Sequence, residues 1–245
     1  GTVKVTVRAD LDEGTIGSDH TICYNGDPNN LTNTSSPTGG DNTYAYQWQL
    51  SANGTSGWTN ISGATSSTYN PPTGLTANRW YRRRVISCGQ TKYAGTVKVT
   101  VRADLDEGTI GSDHTICYNG DPSNLANTSS PTGGDNTYAY QWQWSANGTS
   151  GWANITGATS LTYDPPTGLT ASRWYRRSVI SCGQTKYAGT VKVTVRPDLD
   201  EGTIGSDHTI CYNSDPSNLT NTSSPTGGDN AYAYQWQWSA NGTSG

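Results

Sequence analysis

The sequence predicts an all-β chain of small sandwich domains joined end to end, and three observations carry that expectation. Gly-Thr-Val-Lys-Val-Thr-Val begins at Gly1, Gly95 and Gly189, a spacing of 94 residues, and residues 1–94 differ from 95–188 at nine positions only. Apolar residues alternate with polar ones at period two, and no segment shows a convincing 3.6 period. Clusters of Gly, Pro, Asn, Asp and Ser separate the alternating runs, as turns separate short strands. Repeats of about 20 to 50 residues must stack to bury a core, whereas a unit of about 94 can bury its own.

The elements follow in order. Thr2 to Arg8, and again Thr96 to Arg102, set Val against Lys, Thr and Arg in the pattern of a half-buried strand. Ala9 to Gly14 is short and acidic and reads as the junction between repeats; it recurs as Ala103 to Gly108 and as Pro197 to Gly202. Thr15 to Tyr24 reads as one strand, closed by the turn chemistry of Asn-Gly-Asp-Pro. A short strand near Leu31 precedes the Ser36 to Asn42 turn. Tyr44 to Leu50 alternates aromatic with small or amide residues and is the core signature of the repeat, with Trp48 at its centre. Trp58 and Ile61, then Ser67 to Asn70, mark further strands before Pro71-Pro72. Arg79 to Cys88 turns at Gly89-Gln90 into the valine strand.

About seven short strands in about 94 residues, with a Trp on the third, fit an immunoglobulin-like sandwich. Leu75, six residues before Tyr81, resembles a tyrosine corner. The expected core anchors are Trp48 and Tyr81, with Trp142 and Tyr175 in the next copy. The expected organisation is the last strand of a preceding repeat over 1–8, repeats over 9–102 and 103–196, and the N-terminal half of a third, truncated repeat over 197–245.

Composition removes several function classes. Fifteen basic against nineteen acidic residues give a net charge of −4 spread through the copies, which is no nucleic-acid footprint. No run approaches the roughly 18 apolar residues of a membrane span. Cys23, Cys117 and Cys211 are one repeat position, and Cys88 and Cys182 are a second. Two cysteines per repeat suit an intradomain disulfide in an oxidising, extracellular compartment. The expected pairs are Cys23 with Cys88 and Cys117 with Cys182, with the partner of Cys211 beyond the chain end.

Candidate chemistry is sparse. Ser18-Asp19-His20 recurs in each copy, but a catalytic triad is assembled from separate elements, so adjacency argues for turn-polar residues. No catalytic site and hence no enzyme is expected. Asp10, Asp12 and Glu13, with Asp104, Asp106 and Glu107, are the candidate calcium ligands, although solvated linker carboxylates are the default and no other cofactor is expected. Arg82-Arg83-Arg84 lies in a strand whose neighbours face opposite ways, so it is not one basic patch. Leu50, replaced by Trp144 and Trp238, shares a face with Tyr46 and Trp48 and reads as core-edge packing rather than a sugar platform.

Thr-Ile-Cys-Tyr-Asn-Gly-Asp-Pro, Ala-Tyr-Gln-Trp-Gln, Ser-Ala-Asn-Gly-Thr-Ser-Gly-Trp, Trp-Tyr-Arg-Arg and Cys-Gly follow one another in an order that resembles the immunoglobulin-like repeats of giant Bacteroidota surface proteins, among them the SprB-type gliding-motility adhesins exported by type IX secretion. The resemblance implies a cell-surface filament that supplies reach and, in gliding cells, traction. Its expected partners are neighbouring repeats of the same chain, with surfaces or polysaccharides engaged through other parts of the protein. A stalk segment is the leading expectation. A multivalent carbohydrate-binding module and the accessory repeats of a secreted polysaccharide-degrading enzyme are the alternatives.

Overall fold

The computed structural model describes residues 1–242. The first repeat contributes β1 (Thr15–Ile16), β2 (His20–Ile22), β3 (Asn33–Ser35), β4 (Ala45–Ser51), β5 (Thr59–Asn60), β6 (Arg79–Ser87) and β7 (Gln90–Val101). The second contributes β8 (Thr109–Ile110), β9 (His114–Ile116), β10 (Asn127–Ser129), β11 (Ala139–Ser145), β12 (Ala153–Asn154), β13 (Arg173–Ser181) and β14 (Gln184–Val195). After these come β15 (Thr203–Ile204) and β16 (Asn221–Ser223).

In the first repeat a five-stranded sheet runs β2-β7-β6-β4-β5, with β2 parallel to β7 and the other pairs antiparallel. Strands β1 and β3 pair separately and, with single bridges Leu31–Tyr69 and Gly26–Leu75, form the smaller layer. Ile16, Leu31, Trp48, Tyr81, Val97 and Val99 meet between the layers as the core. The second repeat builds the same five-stranded order from β9, β14, β13, β11 and β12, around Trp142 and Tyr175. The architecture is therefore all-β, in tandem immunoglobulin-like sandwiches.

Alternation explains which side chains enter the core. Along β6 the inward positions are Tyr81, Arg83, Val85 and Ser87, and on β7 Val97 and Val99 are fully buried. None of the nine positions at which the copies differ is buried in the first repeat, so the two sequences share one core. Leu50 and its replacement Trp144 both pack, partly buried, against their cores, as expected for that face.

One expectation changes. The run from Thr15 to Tyr24 is not one strand: Ile16 pairs with β3, and after Gly17–Asp19 the chain crosses to the large sheet, where His20–Ile22 lies parallel to Val99–Val101. The Gly17 amide, donating to Thr32 O at 3.0 Å, makes the last bond to the smaller layer before the crossing.

The chain divides into two compact units. Among the described residues one comprises Gly1–Asp106 together with Pro131–Tyr138 and Ile180–Lys186; the other comprises Glu107–Ser130, Ala139–Val179 and residues 187–242. The first unit thus contains the whole first repeat and the end of the second repeat that receives the chain from it.

Candidate functional site

The residues with the most unusual placement lie at the two poles of each repeat, where one repeat passes to the next. At the upstream pole of the first repeat the acidic segment is not a solvated linker. Leu11 is buried, its amide donates to Gln90 Oε1 at 2.8 Å, and Asp12 forms an antiparallel bridge with Thr38. Gly39 allows this approach: it has φ +73°, and a Cβ there would run into the Asp10 carbonyl oxygen. Gln90 Nε2 donates to Asp10 Oδ1 at 2.8 Å and Lys92 Nζ donates to Asp10 Oδ2 at 2.8 Å. The Lys92 hydrogen bond, then that of Gln90, holds the Asp10 carboxyl below its ordinary range. The second repeat repeats the arrangement, with Gln184 and Lys186 each 2.9 Å from Asp104 and Leu105 buried.

The hairpin between β6 and β7 forms the tip of this pole. Cys88 has φ 50° and Gly89 φ 74°, the pair of left-handed residues a two-residue type I′ turn requires. Cysteine is a poor occupant of that conformation, which favours Gly and Asn. Cys182 (φ 54°) and Gly183 (φ 74°) repeat it. Beneath the tip, Ser87 Oγ donates to Asp41 Oδ1 at 2.7 Å, as Ser181 Oγ does to Asp135 at 2.8 Å.

The downstream pole is where β2 and β7 both end. Ile22 is registered with Val101, Arg102 donates its amide to Ile22 O at 2.9 Å, and Cys23 follows directly. Cys23 is bonded to Cys182, with a Cα–Cα distance of 5.7 Å. The disulfide therefore links the downstream pole of the first repeat to the upstream hairpin of the second.

This corrects the expected pairing. Cys23 and Cys88 flank opposite ends of β7, one beside Val101 and the other beside Gln90. Eleven steps of strand separate those ends by about 35 Å, whereas bridged Cα atoms stand about 4.4 to 6.8 Å apart. Cys88, Cys117 and Cys211 are free and exposed.

The candidate calcium ligands do not converge. Asp10 and Asp104 face lysines, and Asp12 Oδ1 accepts the Gly14 amide at 2.7 Å. Glu13 and Glu107 serve through their carbonyl oxygens, which accept from Arg83 and Arg177 at 2.9 and 3.1 Å. Asp106 is engaged by its backbone bridge to Thr132. Among the described residues no group of three or more His, Cys, Asp or Glu gathers as a metal site. Asp19 and His20 are likewise apart in role, the first accepting the Lys98 amide at 2.7 Å and the second the Asn29 amide at 3.3 Å.

The four expected core anchors are all buried, and the indole nitrogens of Trp48 and Trp142 donate to the carbonyls of Ser66 and Ser160 at 3.0 and 2.9 Å. Two features were not foreseen. Arg83 is completely buried with no carboxylate beside it; it donates to Asn33 Oδ1, Ser67 O and Glu13 O, and lies 5.0 Å from the centre of the Tyr46 ring. Burial pulls its guanidinium below the ordinary value, opposed by Tyr46. On the outer face of the same sheet Arg82 is sandwiched between the rings of Trp58 and Tyr93, at 4.3 and 4.2 Å, and its Nε donates to Gln49 at 2.7 Å. The alternation of the triplet was the available signal for both.

The model of a family described as a domain of unknown function, DUF8696, matches residues 12–103, 106–197 and 200–245, and the chain belongs to that family. Among curated proteins no match is found. Similar solved structures include the I-band fragment I67–I69 of titin, at 8% identity and a TM-score of 0.43, covering 80% of this chain and 68% of that one. The N-terminal four immunoglobulin domains of Dscam1 isoform 6.9 are similar at 12% identity and a TM-score of 0.35, over 79% of this chain and 47% of theirs. Extracellular domains 3–5 of Drosophila OTK are similar at 12% identity and a TM-score of 0.36, over 74% of this chain and 60% of theirs. Among the described residues no helix is long and apolar enough to cross a membrane.

Proposed function

We propose that this chain is a non-enzymatic stalk segment of a long extracellular bacterial surface filament, in which each repeat is a spacer and adhesion resides elsewhere in the full protein. The observation that carries the reading is the junction. The first two repeats are connected twice, by the chain from Val101 to Asp104 and by Cys23–Cys182, and a doubly connected joint is suited to carrying load. A disulfide between domains also fits an oxidising compartment outside the cytoplasm. The resemblance to SprB-type repeats extends the reading to a Bacteroidota cell surface, type IX export and gliding motility.

A second reading rests on a different observation. The Trp58–Arg82–Tyr93 stack, repeated as Trp152–Arg176–Tyr187, presents aromatic and amide groups on an outer sheet face, the chemistry that binds sugars weakly and gains by repetition. Retention of the chain on glycan arrays and on glass separates the two. A spacer is not retained, whereas a binder is retained, gains steeply with added repeats and loses retention on Trp58→Ala with Trp152→Ala. Hydrolysis of a polysaccharide by the purified chain would reject both.

A further inference from the structure

We propose that the disulfide between the first two repeats is one rung of a staggered series, in which the first cysteine of each repeat bonds the hairpin cysteine of the repeat that follows it in the chain. Cys117 and Cys211 are then docking points for the hairpin of a following repeat, and Cys88 is the hairpin cysteine that a preceding repeat engages. This goes beyond the stalk reading, since a sugar-binding array would carry the same rungs.

Four observations support it. The two cysteine positions lie at opposite poles of a repeat, so each repeat offers one thiol upstream and one downstream and cannot bond them to each other. Cys88 holds the same left-handed turn as the bonded Cys182, so the free copy is already presented as the bonded copy is. Strain of this kind at a non-glycine residue is a common mark of a functional position. Cys117 is exposed and lies beside Asp198, Leu199, Gly228 and Asp229. Their counterparts one repeat earlier, Asp104, Leu105, Gly134 and Asp135, surround the Cys182 hairpin through Gln184, Lys186 and Ser181.

The same chain is the favoured source of the partner. Arg102 is tied to Ile22 beside Cys23 and leads within a few residues to the next upstream pole, so the second thiol arrives tethered and at high effective concentration. Closing a rung removes two protons and two electrons from two thiols. A disulfide-bearing oxidant, such as an extracytoplasmic thiol–disulfide oxidoreductase or oxidised glutathione, accepts them and leaves as two thiols.

The test is peptide mapping without reduction, after oxidation in a glutathione buffer and alkylation of free thiols. The present chain should give a Cys23–Cys182 peptide and alkylated Cys88, Cys117 and Cys211. A chain extended after Gly245 by a copy of residues 152–196, which completes the third repeat and places a cysteine 94 residues beyond Cys182, should add one bond, from Cys117 to that cysteine, and remain monomeric. Bonds within a repeat, Cys23–Cys88 or Cys117–Cys182, would overturn the series. Disulfide-linked dimers formed through Cys88 or Cys211 in dilute solution would overturn the same-chain source. Should the lengthened chain not fold, Cys182→Ser in the present chain decides: Cys23 becomes a fourth alkylated thiol if the stagger is right, and pairs with Cys88 if it is wrong.

Discussion

Residues 1–8 and 95–102 have one sequence and two fates. Val97 and Val99 are fully buried within β7, while their counterparts Val3 and Val5 are 90% and 83% exposed and belong to no strand. The difference is the partner. Between Tyr81 and Val97, and between Arg79 and Val99, β6 supplies the ladder, and β2 closes the other edge. Alternating valines therefore record the capacity for a half-buried strand, and the neighbouring strands convert it into one. Near the other end of the chain the contrast recurs: Trp142 is buried, and Trp236, one repeat later, is 53% exposed.

The largest test of this contrast is one substitution made in both copies. Val99→Asp places a carboxylate in a closed core and should cost more than about 4 kcal/mol, unfolding the first repeat; Val5→Asp should change stability by less than about 0.5 kcal/mol. Chemical denaturation monitored by tryptophan fluorescence reads both. Equal effects would mean that residues 1–8 are packed in solution.

A second test uses adjacent positions on β6. Arg83→Met removes the donor from three part-buried oxygens, those of Asn33, Ser67 and Glu13, and should cost about 3 kcal/mol. Arg82→Met, on the outer face, loses two ring contacts and should cost about 1 kcal/mol. A reversed order would reject the inward assignment of Arg83.

Titration sharpens the contrast further, because the closed core raises the Tyr81 hydroxyl to about 12, chiefly by burial. The folded state then holds a proton that the unfolded chain releases above about 10. That stability is fully present below pH 10 and falls by up to about 1.4 kcal/mol per unit between pH 10 and 12. Tyr81→Phe should flatten this part of the alkaline unfolding curve.

The smallest effect is expected at the junction acids. Replacing Asp104 and Asp106 by Asn and Glu107 by Gln should leave the melting temperature within about 2 °C, because exposed ion pairs contribute little. Calcium should change neither protein. A calcium-dependent stiffening of the wild type that vanished in the variant would show that these carboxylates hold an ion.

Much of the fold was legible because it depends on local alternation. The valine strand, the Trp48 strand and seven strands per repeat follow from period-two patterning and turn residues. The cysteine pairing was not legible, since a spacing in sequence does not tell which pole of a sheet each residue reaches. That depends on β2 running parallel to β7, a crossover with no sequence mark. Leu11 was misread for a related reason: one apolar residue among carboxylates looks like a linker until Gln90 and Thr38 are brought to it from distant parts of the chain. Arg83 shows the limit of residue type as a guide, since its charge suggested surface while its alternation with Tyr81 and Val85 placed it inside.

The parallel pairing of β2 with β7 also decides how a repeat meets tension. The chain enters at the Gln90 end of β7, where Leu11 is held, and leaves beyond Val101. With Cys23–Cys182 intact the bond carries the load past this ladder; once it is reduced, a pull on those two points draws β2 toward one pole and β7 toward the other. The pairs His20–Val99, Thr21–Thr100 and Ile22–Val101 are then sheared together rather than peeled one after another, so they must fail as a group.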